Sequence, residues 1–242
     1  LWRAARRGDT VVGKTDPPLI SVVAAAAARR RGAVLVNWIQ DLFPEVATAL
    51  GVKALQGAAA RLLTALRDWS LRAAACNVVL GDLMAERLAA AGVPRRCIRI
   101  IHNWIGDDVQ PVPRNENGLR RQWGLADKFV VAYSGNLGRA HEFGTILAAA
   151  DLLQHRRDIV FLFIGGGAQR EELRRQVEAR GLRNVVFKPY QPRERLAESL
   201  SVADAHLACL PPALEGLIVP SNVYGILAVA RPAPRPANGP AY

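Results

Sequence analysis

From residue 129 onward one unit recurs in the sequence. A short run of β-branched and aromatic residues leads through a loop rich in Gly or Pro into a helical stretch. The runs are 129–133 (FVVAY), 159–164 (IVFLFI), 185–188 (VVFK) and 205–210 (AHLACL). Runs that stay largely apolar instead of alternating suit strands covered by helices on both faces. Their regular exchange with helices predicts a parallel, doubly wound sheet. The N-terminal half is more helical but follows the same logic. Strands are expected at 10–13, 34–38, 77–80 and 97–101, and helices near 19–31, 57–75 and 82–91, with Asp82 as N-cap and Gly92-Val93-Pro94 as the stop. Residues 108–127, preceded by Gly106, include two prolines and have little periodicity before Arg120, which reads as a linker. The expected organisation is α/β: two Rossmann-like doubly wound domains facing a cleft, at 1–107 and 128–230, joined by 108–127 and followed by a Pro-rich tail, 231–242.

Composition narrows the functional classes. Half of the 242 residues are apolar and 22% are charged, which excludes a disordered, collagen-like or disulfide-scaffold protein. Cys76, Cys97 and Cys209 are odd in number, with no CxxC spacing and no His at metal spacing, so a reducing compartment and no metal site are expected. The longest apolar run, 19–28, stops at Arg29-Arg30-Arg31 and falls short of the roughly 20 residues of a bilayer span. The net charge of +11, nearly all of it from Arg, has two readings: phosphate-rich or membrane-surface partners, or the coding bias of an Ala- and Arg-rich chain. Both ends read as incomplete. The chain opens at Leu1 inside an Arg/Ala helical pattern, and it closes on RPAPRPANGPAY where another strand is due.

Ligands of open α/β sheets bind at the carboxyl ends of strands, so the loops after the four C-terminal runs are the candidates. The first holds Gly135, Asn136, Leu137, Gly138, Arg139 and His141. Its glycines allow close backbone approach to an anion, free amides at the following helix start point toward it, and Arg139 or His141 adds positive charge, which suits a diphosphate. A plain strand-to-helix turn accounts for the glycines equally well. The second loop, Gly165-Gly166-Gly167-Ala168-Gln169-Arg170, has Arg where a dinucleotide fingerprint needs its last Gly, so it reads as a backbone that a phosphate or ribose can lie against, or as tight packing. The third, with Tyr190 and Gln191 between prolines, offers backbone groups to a flat base. In the fourth, Glu215 and Gly216 can accept from sugar hydroxyls, while Ser221 and Asn222 open a helix that can hold phosphate oxygens. In the N-terminal half, Asp41 follows the 34–38 run and suits either deprotonation of an acceptor hydroxyl or an N-cap. His102 and Asn103 read as structural. Trp38, Trp69, Trp104 and Trp123 form no stacking array, and no nucleic-acid partner is expected.

The ordered set YSGNLGRAHEF, FIGGGAQREEL, VVFKPYQPRERL and LEGLIVPSNVYGILAVARP resembles the donor-binding domain of family 4 retaining glycosyltransferases of the GT-B fold, in the exopolysaccharide and colanic-acid-type branch. KTDPPLISVVAA, VNWIQDLFPEVA and IIHNWIGDD resemble that branch's acceptor domain. The resemblance implies transfer of a sugar from a nucleotide diphosphate sugar to a lipid-linked or saccharide acceptor in bacterial surface polysaccharide synthesis, with retention, without a metal and with no separate cofactor. It makes 1–107 the acceptor side and 128–230 the nucleotide-sugar side. Gly135, Asn136, Leu137, Arg139 and His141 fall on the family's phosphate loop, Gly165 and Gly167 on its glycine loop, and Tyr190 and Gln191 on its base loop. Glu215, Gly216, Leu217, Ser221, Asn222 and Tyr224 fall on its sugar and ribose loop. Asp41, Arg139 and His141 are the catalytic candidates. The chain departs from related sequences at Asn222, where Lys is usual, at Gly225, where many have Glu, and at Ala230, where Gly is usual. The alternatives are an inactive truncated remnant that binds a nucleotide weakly, and a nucleotide-sugar 2-epimerase. The location implied is cytoplasmic, peripheral on an anionic inner membrane surface.

Overall fold

The computed structural model describes residues 1–55, 57–138, 141–230 and 232. They form two compact units: Leu1–Asn103 together with Pro212–Val219, and Trp104–Pro211 together with Pro220–Ala230 and Pro232.

The first unit contains β1 (Thr10–Lys14), α1 (Ile20–Arg31), β2 (Val34–Trp38), α2 (Glu45–Ala49), α3 (Gly57–Ala73), β3 (Cys76–Val79), α4 (Asp82–Ala90) and β4 (Ile98–Ile100). Its sheet has the order β1-β2-β3-β4, all parallel. The alanines of α1 explain themselves in the packing. Ala24, Ala25 and Ala28 lie against Val11, Leu35 and Ala74, where larger side chains would hold the helix off the sheet. Gly32 ends α1 in the left-handed region with Ala33 N donating to Ala28 O, and Arg29, Arg30 and Arg31 occupy the last turn, where the helix end is negative. Gly92 does the same for α4, with Val93 N donating to Leu88 O, as the Gly-Val-Pro stop predicts. Asp82 is not the N-cap. It is the first helical residue after Gly81, where its carboxylate still meets the positive end of the helix. Asn37 and Asn77 are fully buried partners on β2 and β3. Asn37 Nδ2 donates to Asn77 Oδ1 at 3.0 Å, and Asn77 Nδ2 donates to Leu71 O at 2.9 Å.

The second unit contains α5 (Gly118–Gln122), β5 (Phe129–Ser134), α6 (Gly144–Leu152), β6 (Ile159–Ile164), α7 (Arg170–Ala179), β7 (Val185–Lys188), α8 (Leu196–Leu200), β8 (Ala205–His206) and α9 (Asn222–Ala228). Its sheet order is β7-β6-β5-β8, again all parallel. Both faces are covered, as the unbroken apolar runs require. Tyr133, Phe161 and Phe163 pack with Ile146, Leu147, Leu173 and Val177 of α6 and α7. Val130, Ala132, Val160 and Leu162 pack on the opposite face with Leu119, Leu125, Val202 and Ala203.

Two expectations need correction here. Residues 108–127 are not a bare linker: Asn117 Oδ1 caps α5 by accepting from Arg120 N at 2.8 Å, and Leu119 and Leu125 enter the core. Arg120 is 1% exposed. Its guanidinium donates to Val202 O at 2.5 Å, Asp204 Oδ2 at 2.8 Å and Lys128 O, while Asp204 Oδ2 also accepts from Val130 N at 2.7 Å. A charge inside the expected linker is therefore the bracket that ties α5 to the start of β5. The run 205–210 is the other correction. Only Ala205–His206 is strand, with one further ladder bond from Leu207 N to Ala132 O, because β8 lies at the sheet edge and the chain leaves toward Pro211 and Pro212. Of the tail 231–242, only Pro232 lies among the described residues, and its carbonyl accepts from His206 N.

Candidate functional site

The second sheet reverses its winding between β5 and β8, since the chain moves outward from β5 through β6 to β7 and then returns to the other side of β5. A doubly wound sheet opens its crevice at such a point, beyond the strands' carboxyl ends. The loops after β5 and β8 flank it. They are joined there: His141 Nδ1 lies 2.7 Å from Cys209 O, and Asn222 Nδ2 donates to Ser134 O at 3.3 Å.

The peptide orientations in the loop after β5 are dictated by its neighbours. Gly135 N donates to Ile164 O at 3.0 Å and Leu137 N to Gly166 O at 2.8 Å, so these amides face the glycine-rich loop after β6. The carbonyls of the same two residues face it too. A Cβ on Gly165 would stand 2.1 Å from Gly135 O, and one on Gly167 would stand 2.6 Å from Leu137 O. The backbone at Gly165 and Gly167 has φ of 141° and 143°, a second reason for glycine at both. A trans peptide sets its N–H opposite its C=O. With the carbonyls of Gly135 and Leu137 turned toward the glycine loop, the amides of Asn136 and Gly138 turn away from it. Among the described residues neither donates to a protein group. Two unspent amides on alternate residues, at the mouth of the crevice, are an arrangement that receives an anion. The amides at the start of α6, expected to share this task, are already taken. Glu142 Oε1 accepts from Gly144 N at 2.5 Å and from Thr145 N at 3.3 Å.

His141 is held at its ring. A carbonyl can only accept, so the contact with Cys209 O places a proton on Nδ1. The ring meets the edge of Tyr133 at 5.6 Å between centroids. Tyr133 Oη donates to Asn136 O at 2.9 Å, and burial pushes its pKa up, so it remains a phenol donor. Burial pushes the Cys209 thiol up to about 11, which removes it as a nucleophile at neutral pH.

A family model described as "Glycosyl transferases group 1" matches residues 115–224, and one described as "Glycosyl transferase 4-like domain" matches residues 1–104. The chain belongs to the family 4 glycosyltransferases. It is 29% identical over 234 residues to the probable glycosyltransferase WbjE of Pseudomonas aeruginosa, covering 96% of this chain and 58% of that one. It is also 29% identical over 203 residues to WcaI of Escherichia coli K12, named for colanic acid biosynthesis, covering 82% of this chain and 50% of that one. The chain thus spans about half the length of these relatives. Among solved structures it is similar to HepE of Anabaena in complex with UDP, with a TM-score of 0.72 and 16% identity over 93% of this chain and 58% of that one. Sucrose-phosphate synthase of Thermosynechococcus elongatus gives a TM-score of 0.71 at 18% identity over 93% of this chain and 55% of that one. The fold is that of the GT-B glycosyltransferases, with two parallel α/β sheets.

Within this glycosyltransferase fold the expected site residues fall into two groups. Gly135, Asn136, His141, Tyr190 and Asn222 stand around the crevice of the second unit. Tyr190 is 57% exposed and its ring lies over Gly165 and Gly166, while Gln191 turns its side chain back to Pro189 O. Asn222 Oδ1 is buried with no hydrogen-bond partner, its Nδ2 being spent on Ser134 O. Ser221 precedes α9 and is exposed, and Tyr224 is half-buried on that helix. Arg139 lies outside the described residues. Leu137 is a correction: its side chain is fully buried in the core, so it offers a ligand nothing but backbone. At Gly165 and Gly167 the packing alternative holds, since their missing side chains admit the carbonyls of the neighbouring loop.

Glu215, Gly216 and Leu217 belong to the first unit. Arg87 Nη2 donates to Glu215 O at 2.6 Å, Gly216 packs on Leu83 and Arg87, and Leu42 N donates to Leu217 O at 2.9 Å. Leu217 is buried there and cannot present its side chain to a sugar. Asp41 forms an antiparallel bridge with Ile218 rather than capping α2, whose N-cap is Pro44. Half-buried, Asp41 lines a cavity of about 30 Å³ with Thr15, Ser21, Asn37 and Arg67. Burial first, and the neighbouring Asp16 second, push its pKa above the ordinary value. His102 and Asn103 are structural, as expected: His102 Nδ1 bonds Leu80 O and Asn103 Nδ2 donates to Gln40 Oε1. Among the described residues no three His, Cys, Asp or Glu side chains are grouped to hold a metal ion. No helix of these residues is long and apolar enough to cross a membrane. Two residues to which the sequence assigned no role of their own shape the loop: Tyr133 and Gln169.

Proposed function

We propose that the second unit binds the diphosphate of a nucleotide sugar on the amides of Asn136 and Gly138, and that the chain belongs to an enzyme transferring that sugar to an acceptor in surface polysaccharide synthesis. The two outward amides at the switch point carry this reading. As the bond to the sugar breaks, negative charge grows on the departing diphosphate, and amides already aimed at it need no reorganisation to receive that charge. Removing one such donor costs about 10²–10³ in rate in comparable oxyanion sites. His141 belongs to the same loop, its ring fixed by the contact of Nδ1 with Cys209 O. That HepE, similar to this chain in fold, is solved in complex with UDP supports a nucleotide ligand. A mechanism of this kind asks no metal of the protein, and it is compatible with retention.

For the acceptor we propose a saccharide, on a lipid carrier or free, with Asp41 orienting or deprotonating its hydroxyl; the raised pKa of Asp41 supports a base role. The net charge of +11 supports a location against an anionic membrane surface. Hydrogen exchange with and without UDP or GDP tests the donor reading. Slowed exchange at Asn136, Gly138 and the start of α9 is expected, and unchanged exchange there with both nucleotides would refute it.

A further inference from the structure

We infer that Gln169 is the positioning residue that keeps the diphosphate-binding amides turned outward, an inference that rests on the donor reading above. Gln169 directly precedes α7. Its backbone N donates to Leu137 O at 2.9 Å. Its side-chain Nε2 donates to Gly138 O at 2.6 Å and to His141 O at 3.0 Å. Three carbonyls of the loop after β5 are therefore gathered by one residue, and that of Leu137 lies opposite the unspent amide of Gly138 across their shared peptide.

The physical need for such a residue lies in the glycine. A peptide next to Gly can rotate at little conformational cost, because no Cβ on Gly138 opposes it. Rotation of the 137–138 peptide would swing the Gly138 N–H back toward the glycine loop and present a carbonyl to the phosphate. Gln169 opposes that rotation from both sides of Gly138, since its backbone N holds Leu137 O and its side-chain Nε2 holds Gly138 O. The side-chain amide has two hydrogens, and each goes to a different carbonyl, so the far end of the loop is held by the same group. His141 is then gripped at both ends: its carbonyl by Gln169 and its Nδ1 by Cys209 O. Gln suits the task by chemistry as well as reach. A carboxylate of the same size donates nothing and adds negative charge beside the phosphate. Lys would donate, but as one mobile point charge.

The test is Gln169→Met, which keeps the length and removes both donors, with Gln169→Asn as the milder variant read in the same way where the first does not fold. Binding of UDP and of uridine is measured by calorimetry, and the amide resonance of Gly138 is followed by NMR in the ligand-free protein. Guanine compounds replace these if GDP binds more tightly. Two lost hydrogen bonds predict about a tenfold or greater fall in UDP affinity, with uridine binding unchanged. The Gly138 amide resonance is expected to move and its exchange to accelerate. Equal losses for UDP and uridine, or an unmoved Gly138 resonance, would overturn the inference, because a merely structural residue lowers stability without favouring nucleoside over nucleoside diphosphate. Wild-type protein that binds neither UDP nor GDP would instead overturn the donor reading, and the ligand-free Gly138 resonance would still decide whether Gln169 holds the loop.

Discussion

Gly165→Ala and Gly166→Ala differ by one position and should differ greatly in consequence. At Gly165 the added Cβ stands 2.1 Å from Gly135 O and 3.1 Å from Gly135 C, both backbone atoms, and the residue sits at φ 141°. Holding an L-residue in that backbone region costs about 1–3 kcal/mol. Pushing the neighbouring backbone aside costs about another 1–3 kcal/mol, as overpacking of a well-filled interior does. The expected loss is roughly 2–6 kcal/mol, a large share of the roughly 5–15 kcal/mol that stabilise a typical domain. For a chain of this size each kcal/mol lowers Tm by about 2–4 °C, so a fall of roughly 5–20 °C follows. Gly166 lies outside the left-handed region, and its Cβ would make an ordinary 3.6 Å contact with the Tyr190 ring. Its change should stay within about 0.5 kcal/mol. Urea unfolding of both variants, followed by a probe in the second unit, measures the difference. UDP binding should weaken in Gly165→Ala even well below its unfolding midpoint, because the backbone that moves is the one carrying the Asn136 amide. If Gly165→Ala proves as mild as Gly166→Ala, the two loops are not packed backbone to backbone, and the argument for outward amides fails with them.

Arg120→Ala leaves Asp204 buried without its main partner and should cost about 3–5 kcal/mol in urea unfolding of the second unit; a loss typical of an exposed Arg would show that 108–127 is a linker after all. Asp41→Asn should raise stability at pH 7. Because folding raises the pKa of Asp41, its contribution to stability is present below the ordinary value of 3.8 and is lost as pH rises through the raised native value, so the advantage of Asn should shrink as pH falls toward 3.8. Asn222→Lys replaces a buried unpartnered acceptor with a cation beside Ser134 O, and UDP affinity should rise on the order of tenfold relative to uridine, with a gain that fades in salt; unchanged or weaker UDP binding would place the diphosphate elsewhere.

How much of this was legible in the sequence depends on how local each determinant is. β6 and β7 were, because runs such as IVFLFI suit a strand hidden on both faces, and both begin and end where their runs do. The helix stop at Gly92 was legible for the same reason: one residue and its backbone conformation decide it. Strand order was not, since β8 joins β5 through contacts some seventy residues apart in the chain, and the crevice follows from that order alone. The role of Arg120 was not legible, because a single charge in an irregular segment has no visible partner until Asp204 is brought beside it. Leu217 and Glu215 were assigned to a sugar by their position after β8, although the backbone of that segment is paired with Leu42 and Arg87. The loop after β5 stands between these cases. Its glycines announced a close approach, but what approaches Gly165 and Gly167 is first of all another stretch of protein backbone. The anion-receiving property comes one step later, from the planarity of peptides whose carbonyls those glycines admit. That step needs Tyr133 Oη on one carbonyl and Gln169 on three others, and neither side chain declares its direction in the sequence. A glycine motif therefore identifies where a backbone can bind an anion, and the side chains packed behind it decide whether its amides face the crevice.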